Sequence, residues 1–404
     1  MAHPATRILT FAFAATLSIA GAGAQAVPNQ SGTAATTPTN VARVYVQTAK
    51  GVNVYTASST GNLTLVSGSP FTTSGLMIGI AGGHLITASA HYLHSYAITS
   101  AGKIGEQVAR KNPGFDGDAS GSCGNLSTDG GTVDRTGAWA YIRLDGVAAT
   151  CDVLQNYKIN FLGEFVYAGA ALASDASHFP TFKGPLVISG NNQYAYSLGK
   201  YGCENDVDAF SSDASGAMRV DSPLMVSFPL RPNGGVYFPV AMASDNQNVT
   251  TGRMAIALQV MYGTCDGFSP PVLASYNVDH NGNLYYSGPW VEPAVNPESI
   301  MINPQGNLLA VGGSGPSTNN HGATESQGLQ VFHFNKGKII RYSTILTQDP
   351  IHSVAWDKSH HLYATSHARH KLYVFTITPR SITPVAGSPF TLSAAPSTIL
   401  VQPF

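Results

Sequence analysis

Three ionisable side chains stand where the chain approaches a short apolar run: Arg231 in FPLRPNGG, Glu298 in VNPESIMI and His352 in QDPIHSVAW. A carboxylate or an imidazole can draw a proton from water, and a guanidinium can hold a carboxylate or phosphate through two parallel hydrogen bonds. Brought to one rim they would make hydrolytic machinery; kept apart, each caps a loop or stays solvated. A second group is His367, Arg369 and His370 in SHARH, close enough to share one loop and able to approach His352 or His321. His360 and His361 fall in another turn, and His91 and His94 in another segment. No HExxH or similar spacing is present, so a transition-metal centre is not expected. Asp116, Asp118 and Ser120, followed by Gly121, resemble the first half of an oxygen-ligand calcium loop, but its twelfth position is Ser127 in place of Glu. A turn braced by Asx side chains is the first reading of that segment, calcium the second.

Such side chains act only from rigid elements, and the chain spells one repeatedly. Residues 44–72 read VYVQTAKGVNVYTASSTGNLTLVSGSPFT, and residues 362–391 read LYATSHARHKLYVFTITPRSITPVAGSPFT. Each gives an aromatic-containing strand, a loop, a second alternating strand, a tight turn, a third strand and Gly-Ser-Pro-Phe-Thr. Between them, Gly-containing turns at Gly61, Gly102, Gly137, Gly216, Gly282, Gly306 and Gly337 separate short runs of β-branched and aromatic residues. Units starting near Val41, Thr73, Cys123, Phe182, Tyr237, Ile300 and Ser353 average about 52 residues, a spacing suited to propeller blades with loop insertions. The expected fold is therefore all-β: a seven-bladed β-propeller of four-stranded antiparallel blades. Unit one lacks its first strand, and residues 396–403 (PSTILVQP) are expected to supply it, closing the ring.

VYVQTAKGVNVY with LTLVSGSPF, and LYATSHARHKLYVF with ITPVAGSPF, resemble the repeats of lactonase-type seven-bladed propellers. That group includes the 6-phosphogluconolactonase-like proteins and the YVTN-type surface propellers. The resemblance is sharp at the two ends of the chain and weak in the middle. It implies hydrolysis of a sugar lactone without a cofactor, by His, Glu and Arg side chains at the channel mouth. On this chain that means Glu298 or His352 as base and Arg231 as anion clamp.

In such a blade the first-to-second and third-to-fourth turns share one face, and the other connections share the opposite face. The first set reads short; the second reads long, at residues 108–122, 173–184, 198–208, 229–236, 262–271, 288–299 and 312–328. Function concentrates on such loops. Tyr201, Tyr262, Phe268 and Trp290 would give this face a broad aromatic binding surface. Its four cysteines allow three pairings; Cys203 with Cys265, on equivalent loops of adjacent blades, and Cys123 with Cys151 are preferred.

Composition sets the partners. With 11% charged residues, 43% hydrophobic residues and a net charge of −1, the chain is neither a disordered segment nor an electrostatic nucleic-acid binder. Arg7, the apolar run 8–20 and Ala24-Gln25-Ala26 read as a cleaved secretory signal over residues 1–26. Residues 27–40 read as a flexible leader and 41–404 as a single propeller domain. No later stretch reaches the roughly 18 apolar residues of a membrane span. The expectation is a secreted or periplasmic monomer whose long-loop face binds a ligand or an extracytoplasmic protein or glycan without catalysis. Cofactor-free hydrolysis of a small-molecule lactone is the alternative.

Overall fold

A computed structural model of the chain describes residues 39–113, 127–145, 153–172, 181–201, 204–220, 236–245, 252–262, 267–268, 270–315 and 327–404. These contain no α-helix; the strands pair antiparallel into seven sheets. From the innermost strand outward, blade two is Leu76–Ala81, His84–Ser89, Tyr92–Ile98 and Ile104–Lys111. Blade three is Ser127–Val133, Trp139–Asp145, Val153–Ile159 and Phe165–Leu172. Blade four is Thr181–Ile188, Tyr194–Tyr201, Glu204–Ser212 and Met218–Val220. Blade five is Val236–Ser244, Arg253–Tyr262, Val272–Val278 and Leu284–Tyr286. Blade six is Pro297–Ile302, Leu308–Gly313, Gly328–Asn335 and Lys338–Arg341. Blade seven is Ser353–Trp356, His361–Ser366, Lys371–Thr378 and Ser381–Pro384.

Blade one closes the ring as expected. Pro396–Pro403 pairs antiparallel with Asn40–Thr48, which pairs with Gly51–Ser58 and then Leu63–Leu65. The middle strands are apolar on both sides because each blade is sandwiched between two others, so both of their faces are buried. Leu308–Gly313 and His361–Ser366 are buried at every position.

The plain face is one device repeated. An Asx, Ser or Thr side chain or its carbonyl braces the turn, and the residue three places on has a positive φ: Gly61 (80°), Gly102 (84°), Gly163 (81°), Gly216 (95°) and Gly282 (86°). Asp134, Asn303 and Asp357 do the same in first-to-second turns, each accepting two backbone amides. Between blades, the first residue of a second strand lies on the turn glycine of the next blade. A Cβ on Gly216 would come within 2.7 Å of Trp139, and one on Gly282 within 2.4 Å of the Tyr194 ring. His84 on Gly163 and His361 on Gly61 repeat this, so these two histidines are packing residues.

The Gly-Ser-Pro-Phe-Thr motif is likewise a fold element. The Ser69 and Ser388 hydroxyls accept from the Val54 and Val374 amides at 3.1 and 2.9 Å. Phe71 then bridges to Val52, and Phe390 pairs with Leu372. The motif lays the chain back along the third strand.

One expected loop is corrected. Residues 198–208 are not an insertion: Lys200 pairs with Asn205 and Tyr201 with Glu204, leaving only the 202–203 link between the strands. Their polarity resembles that of a loop, but strand pairing is a backbone property that polar side chains tolerate. Smaller shifts follow the same logic, since Ile104–Lys111, Thr181–Ile188 and Pro297–Ile302 extend into segments read as loop.

Candidate functional site

On the long-loop face, inner strands of consecutive blades begin side by side. Glu298 is the second residue of Pro297–Ile302, at a β-bulge, and is exposed. Its neighbour Ser299 accepts a hydrogen bond from the Val354 amide at 3.3 Å. His352 immediately precedes Ser353–Trp356, and its own amide donates to the Thr365 carbonyl at 3.1 Å. Glu298 and His352 therefore mark the mouths of adjacent inner strands. Among the described residues, no hydrogen bond or ion pair joins them.

His352 is joined instead to His367. The His367 amide donates to His352 Nδ1 at 3.4 Å, and the two rings lie 5.7 Å apart at 57°. His367 Nδ1 lies 3.0 Å from the Pro396 carbonyl, which can only accept, so Nδ1 carries the proton. In the neutral ring the lone pair then sits on Nε2, on an exposed side chain. By the same reasoning His352 Nδ1 is the unprotonated nitrogen and Nε2 the donor. One imidazole acceptor and one donor thus sit side by side where blade seven meets blade one.

Residues 367–370 turn the chain tightly between two strands. His370 closes the turn with φ +51°, a left-handed conformation that histidine tolerates better than most side chains, and its carbonyl accepts from the Leu392 amide at 2.8 Å. This places Arg369 and Lys371 beside Asp349, at 3.5 Å (Nε to Oδ1) and 3.2 Å (Nζ to Oδ2). Tyr373 donates its hydroxyl proton to the same Oδ2. Burial raises the Asp349 carboxyl, but the Tyr373 and Lys371 hydrogen bonds and the two cations outweigh it and hold the pKa below the ordinary range. The Asp349 hydrogen bond in turn raises Lys371. Arg369 keeps 60% of its side chain exposed.

Asp349, Lys371 and Tyr373 were not among the sequence candidates. Asp349 lies inside the QDPIHSVAW segment and Lys371 next to SHARH, but their pairing depends on how the two segments fold back on each other. Trp290 is not a free aromatic, since it packs against the core shared by blades four and five. Tyr201 and Tyr262 end second strands, and Phe268 belongs to the short strand Gly267–Phe268; their side chains lie outside the described residues. Arg231, His321, Cys123, Cys151, Cys203, Cys265, Asp116, Asp118 and Ser120 also lie outside them, as do residues 1–38. Among the described residues no three His, Cys, Asp or Glu side chains come together in a way that could hold a metal ion. Among the described residues no helix is long and apolar enough to cross a membrane.

Solved structures match this ring almost end to end. A candidate 6-phosphogluconolactonase from Bacteroides uniformis superposes with a TM-score of 0.60 at 11% identity, covering 90% of this chain and 100% of its own. The fold it shares with this chain is the seven-bladed β-propeller. The periplasmic gluconolactonase of Pseudomonas aeruginosa gives 0.54 at 11% identity, covering 89% of this chain and 99% of its own. At nearly the same level stands KlAtg21, solved in complex with a coiled-coil (0.52, 11% identity, 88% and 96%). At such identities the likeness is one of fold, and propellers of one fold host unrelated activities. No protein-family model matches the sequence, and no curated protein does.

Proposed function

We propose that the mouth shared by blades six, seven and one binds a small acidic ligand of the sugar-acid class, and that binding is its basal activity. The observation that carries this is the Asp349 cluster. One carboxylate holds Lys371 and orients Arg369, whose largely exposed guanidinium is left with donors for a second carboxylate. The open Nε2 positions of His352 and His367 add a donor and an acceptor for hydroxyl groups. Glu298 and, on the sequence reading, Arg231 flank the same mouth. Export, as residues 1–26 suggest, belongs to this proposal, with the protein meeting its ligand outside the cytoplasm and needing no cofactor.

Hydrolysis of the corresponding sugar lactone is the second reading, favoured by the His352–His367 arrangement. The lone pair on His367 Nε2, or the Glu298 carboxylate, could take a proton from water attacking the lactone carbonyl, with His352 Nε2 donating to the substrate. Two of the fold's neighbours carry lactonase names, which is consistent with such a substrate.

Calorimetric titration of the folded protein with a panel of aldonic acids, alongside hydrolysis of the matching lactones, tests both readings. Binding weakened at least tenfold in Arg369→Ala, with no turnover above the uncatalysed rate, supports the first. Turnover lost in His352→Ala and Glu298→Gln supports the second. Neither binding nor turnover in the wild type overturns both.

A further inference from the structure

Blade two carries a hydrogen-bonded relay that the propeller repeat does not require. Ser89 ends the second strand, His94 lies in the third and Gln107 in the outermost. Ser89 Oγ is 3.1 Å from His94 Nε2, and His94 Nδ1 is 2.8 Å from Gln107 Oε1. Because the amide oxygen only accepts, Nδ1 carries the ring proton and Nε2 turns its lone pair to the serine. His94 is 5% exposed and lies between Tyr92 and Tyr96, with ring centroids 6.2 and 6.3 Å away, so the imidazole cannot rotate freely. Ser89 is part-exposed, and its hydroxyl proton has two acceptors at equal distance, His94 Nε2 and the Tyr92 carbonyl at 3.1 Å.

The same register position in other blades does something different. It is Gln330 in blade six, which bonds to Ser343 in the loop after its blade, and Tyr373 in blade seven, which bonds to Asp349 in the loop before its blade. Only in blade two, among these, does the position hold an imidazole aimed back at a hydroxyl. The amide of Ala90, the next residue after Ser89, makes no hydrogen bond among the described residues and is on an exposed residue. An amide at that place is where serine hydrolases stabilise an oxyanion. Arg110, paired with His94 across the sheet, lies 3.5 Å over the Tyr92 ring, and Tyr92 is the residue opposite Ser89.

We propose that Ser89, His94 and Gln107 form a serine acyl-transfer site for esters whose acyl group carries a carboxylate. Ser89 Oγ attacks the acyl carbon as its proton passes to His94 Nε2. The Oγ–carbon bond forms, the bond to the alcohol oxygen breaks, and that oxygen leaves with the proton from His94. A water, giving its proton to the same nitrogen, then releases the acyl group from Ser89 as the free acid and restores the hydroxyl. Arg110 supplies the charge that selects an acidic acyl chain. Gln107 is a positioning residue: it fixes the tautomer but, being neutral, stabilises the imidazolium less than a carboxylate would. The site is separate from the mouth of blades six, seven and one and does not depend on the ligand proposed there.

The test uses the full chain with a fluorophosphonate probe and with mono-p-nitrophenyl succinate. The expected result is a covalent adduct on the peptide containing Ser89, absent in Ser89→Ala, and succinate ester cleavage slowed about 100-fold in His94→Gln. Arg110→Gln should raise KM for the succinate ester by a larger factor than KM for p-nitrophenyl acetate. Gln107→Glu, which supplies the charge, should raise the labelling rate at neutral pH by about tenfold. A folded wild type that takes no label, or labelling that persists in Ser89→Ala, overturns the proposal. So does a Gln107→Glu variant that labels no faster while keeping the native near-UV spectrum.

Discussion

Replacing Gly282 by alanine should be among the more damaging single-methyl additions in the molecule. Gly282 sits at φ +86°, and a Cβ there would lie 2.4, 2.6 and 3.0 Å from three carbons of the Tyr194 ring. Left-handed φ alone costs an alanine about 1–2 kcal/mol. The contact adds more, because the ring must retreat by about 1 Å to reach ordinary van der Waals distance. It cannot do so freely: Tyr194 OH is bound to the His280 carbonyl of the same turn, and Tyr196 OH donates to the Gly282 carbonyl at 2.9 Å. Overpacking of this kind costs about 1–3 kcal/mol, and one lost hydrogen bond about 1 kcal/mol. The total is about 3–6 kcal/mol. Gly82 is the control, with φ +51° and nothing within 4 Å of a built Cβ. Gly82→Ala should cost only the backbone share, about 1–2 kcal/mol. Urea unfolding of both variants gives the difference, and Tyr194→Ala in the Gly282→Ala background should recover part of the loss. Equal costs for the two glycines, within about 0.5 kcal/mol, would refute the claim that blades lock through an aromatic seated on the next blade's turn.

Arg135 spans the plain-face end of three blades. Its guanidinium donates to the Ile188, Ser189 and Asp245 carbonyls and to Ser244 Oγ, and burial lowers its pKa to about 10, partly opposed by Asp245. Arg135→Ala should lose about 1–3 kcal/mol in urea unfolding, since the carbonyls of two neighbouring blades lose a charged hydrogen-bond donor; Arg110→Ala, whose guanidinium stacks on Tyr92 within its own blade, serves as the comparison. Asp349→Asn tests the Asp349 cluster through pH. A carboxyl whose folded pKa is depressed contributes stability that is present above its unfolded pKa of about 4 and is lost as pH falls through the lower folded value. The wild type should therefore lose stability on acidification below about pH 4 more steeply than Asp349→Asn, read as urea midpoints between about pH 2 and 7. Parallel curves would remove Asp349 from the account of the site.

Much of the architecture was legible because it is periodic. The turn glycines recur where two strands must reverse with a left-handed residue, and the two copies of Gly-Ser-Pro-Phe-Thr recur because a serine hydroxyl must meet a third-strand amide. The missing first strand of blade one could be read for the same reason: every other unit begins with one. What could not be read is which side chains meet. Nothing in SHARH shows that His367 spends Nδ1 on Pro396, nor that Asp349 gathers Arg369 from the turn and Lys371 and Tyr373 from the strand that follows it. The same limit hid the packing contacts of His84 and His361: the sequence sets His361 in a turn apart from His367 and His370, but not on Gly61 of the next blade. The 198–208 segment failed in the opposite direction, because polarity was taken as loop where backbone pairing continued to Tyr201 and Glu204.

The hydrogen bonds that fix the His367–His370 turn lie where the ring is closed. Pro396 begins the strand that the C-terminus contributes to blade one, and its carbonyl is the group that fixes the His367 tautomer. Leu392, four residues earlier, anchors the turn through the His370 carbonyl. The imidazole lone pair at the mouth is thus set by the same segment that seals blade one, and strand pairing from Ala42 with Pro403 to Thr48 with Pro396 holds that segment in register. A one-residue slip in this register would move the Pro396 carbonyl away from Nδ1 and turn every side chain of the closing strand to its other face. Chemistry placed on this seam therefore depends on the completed ring: the tight 367–370 turn of blade seven and the segment entering its first strand provide the side chains, and the returning C-terminal strand fixes which nitrogen of His367 carries the proton.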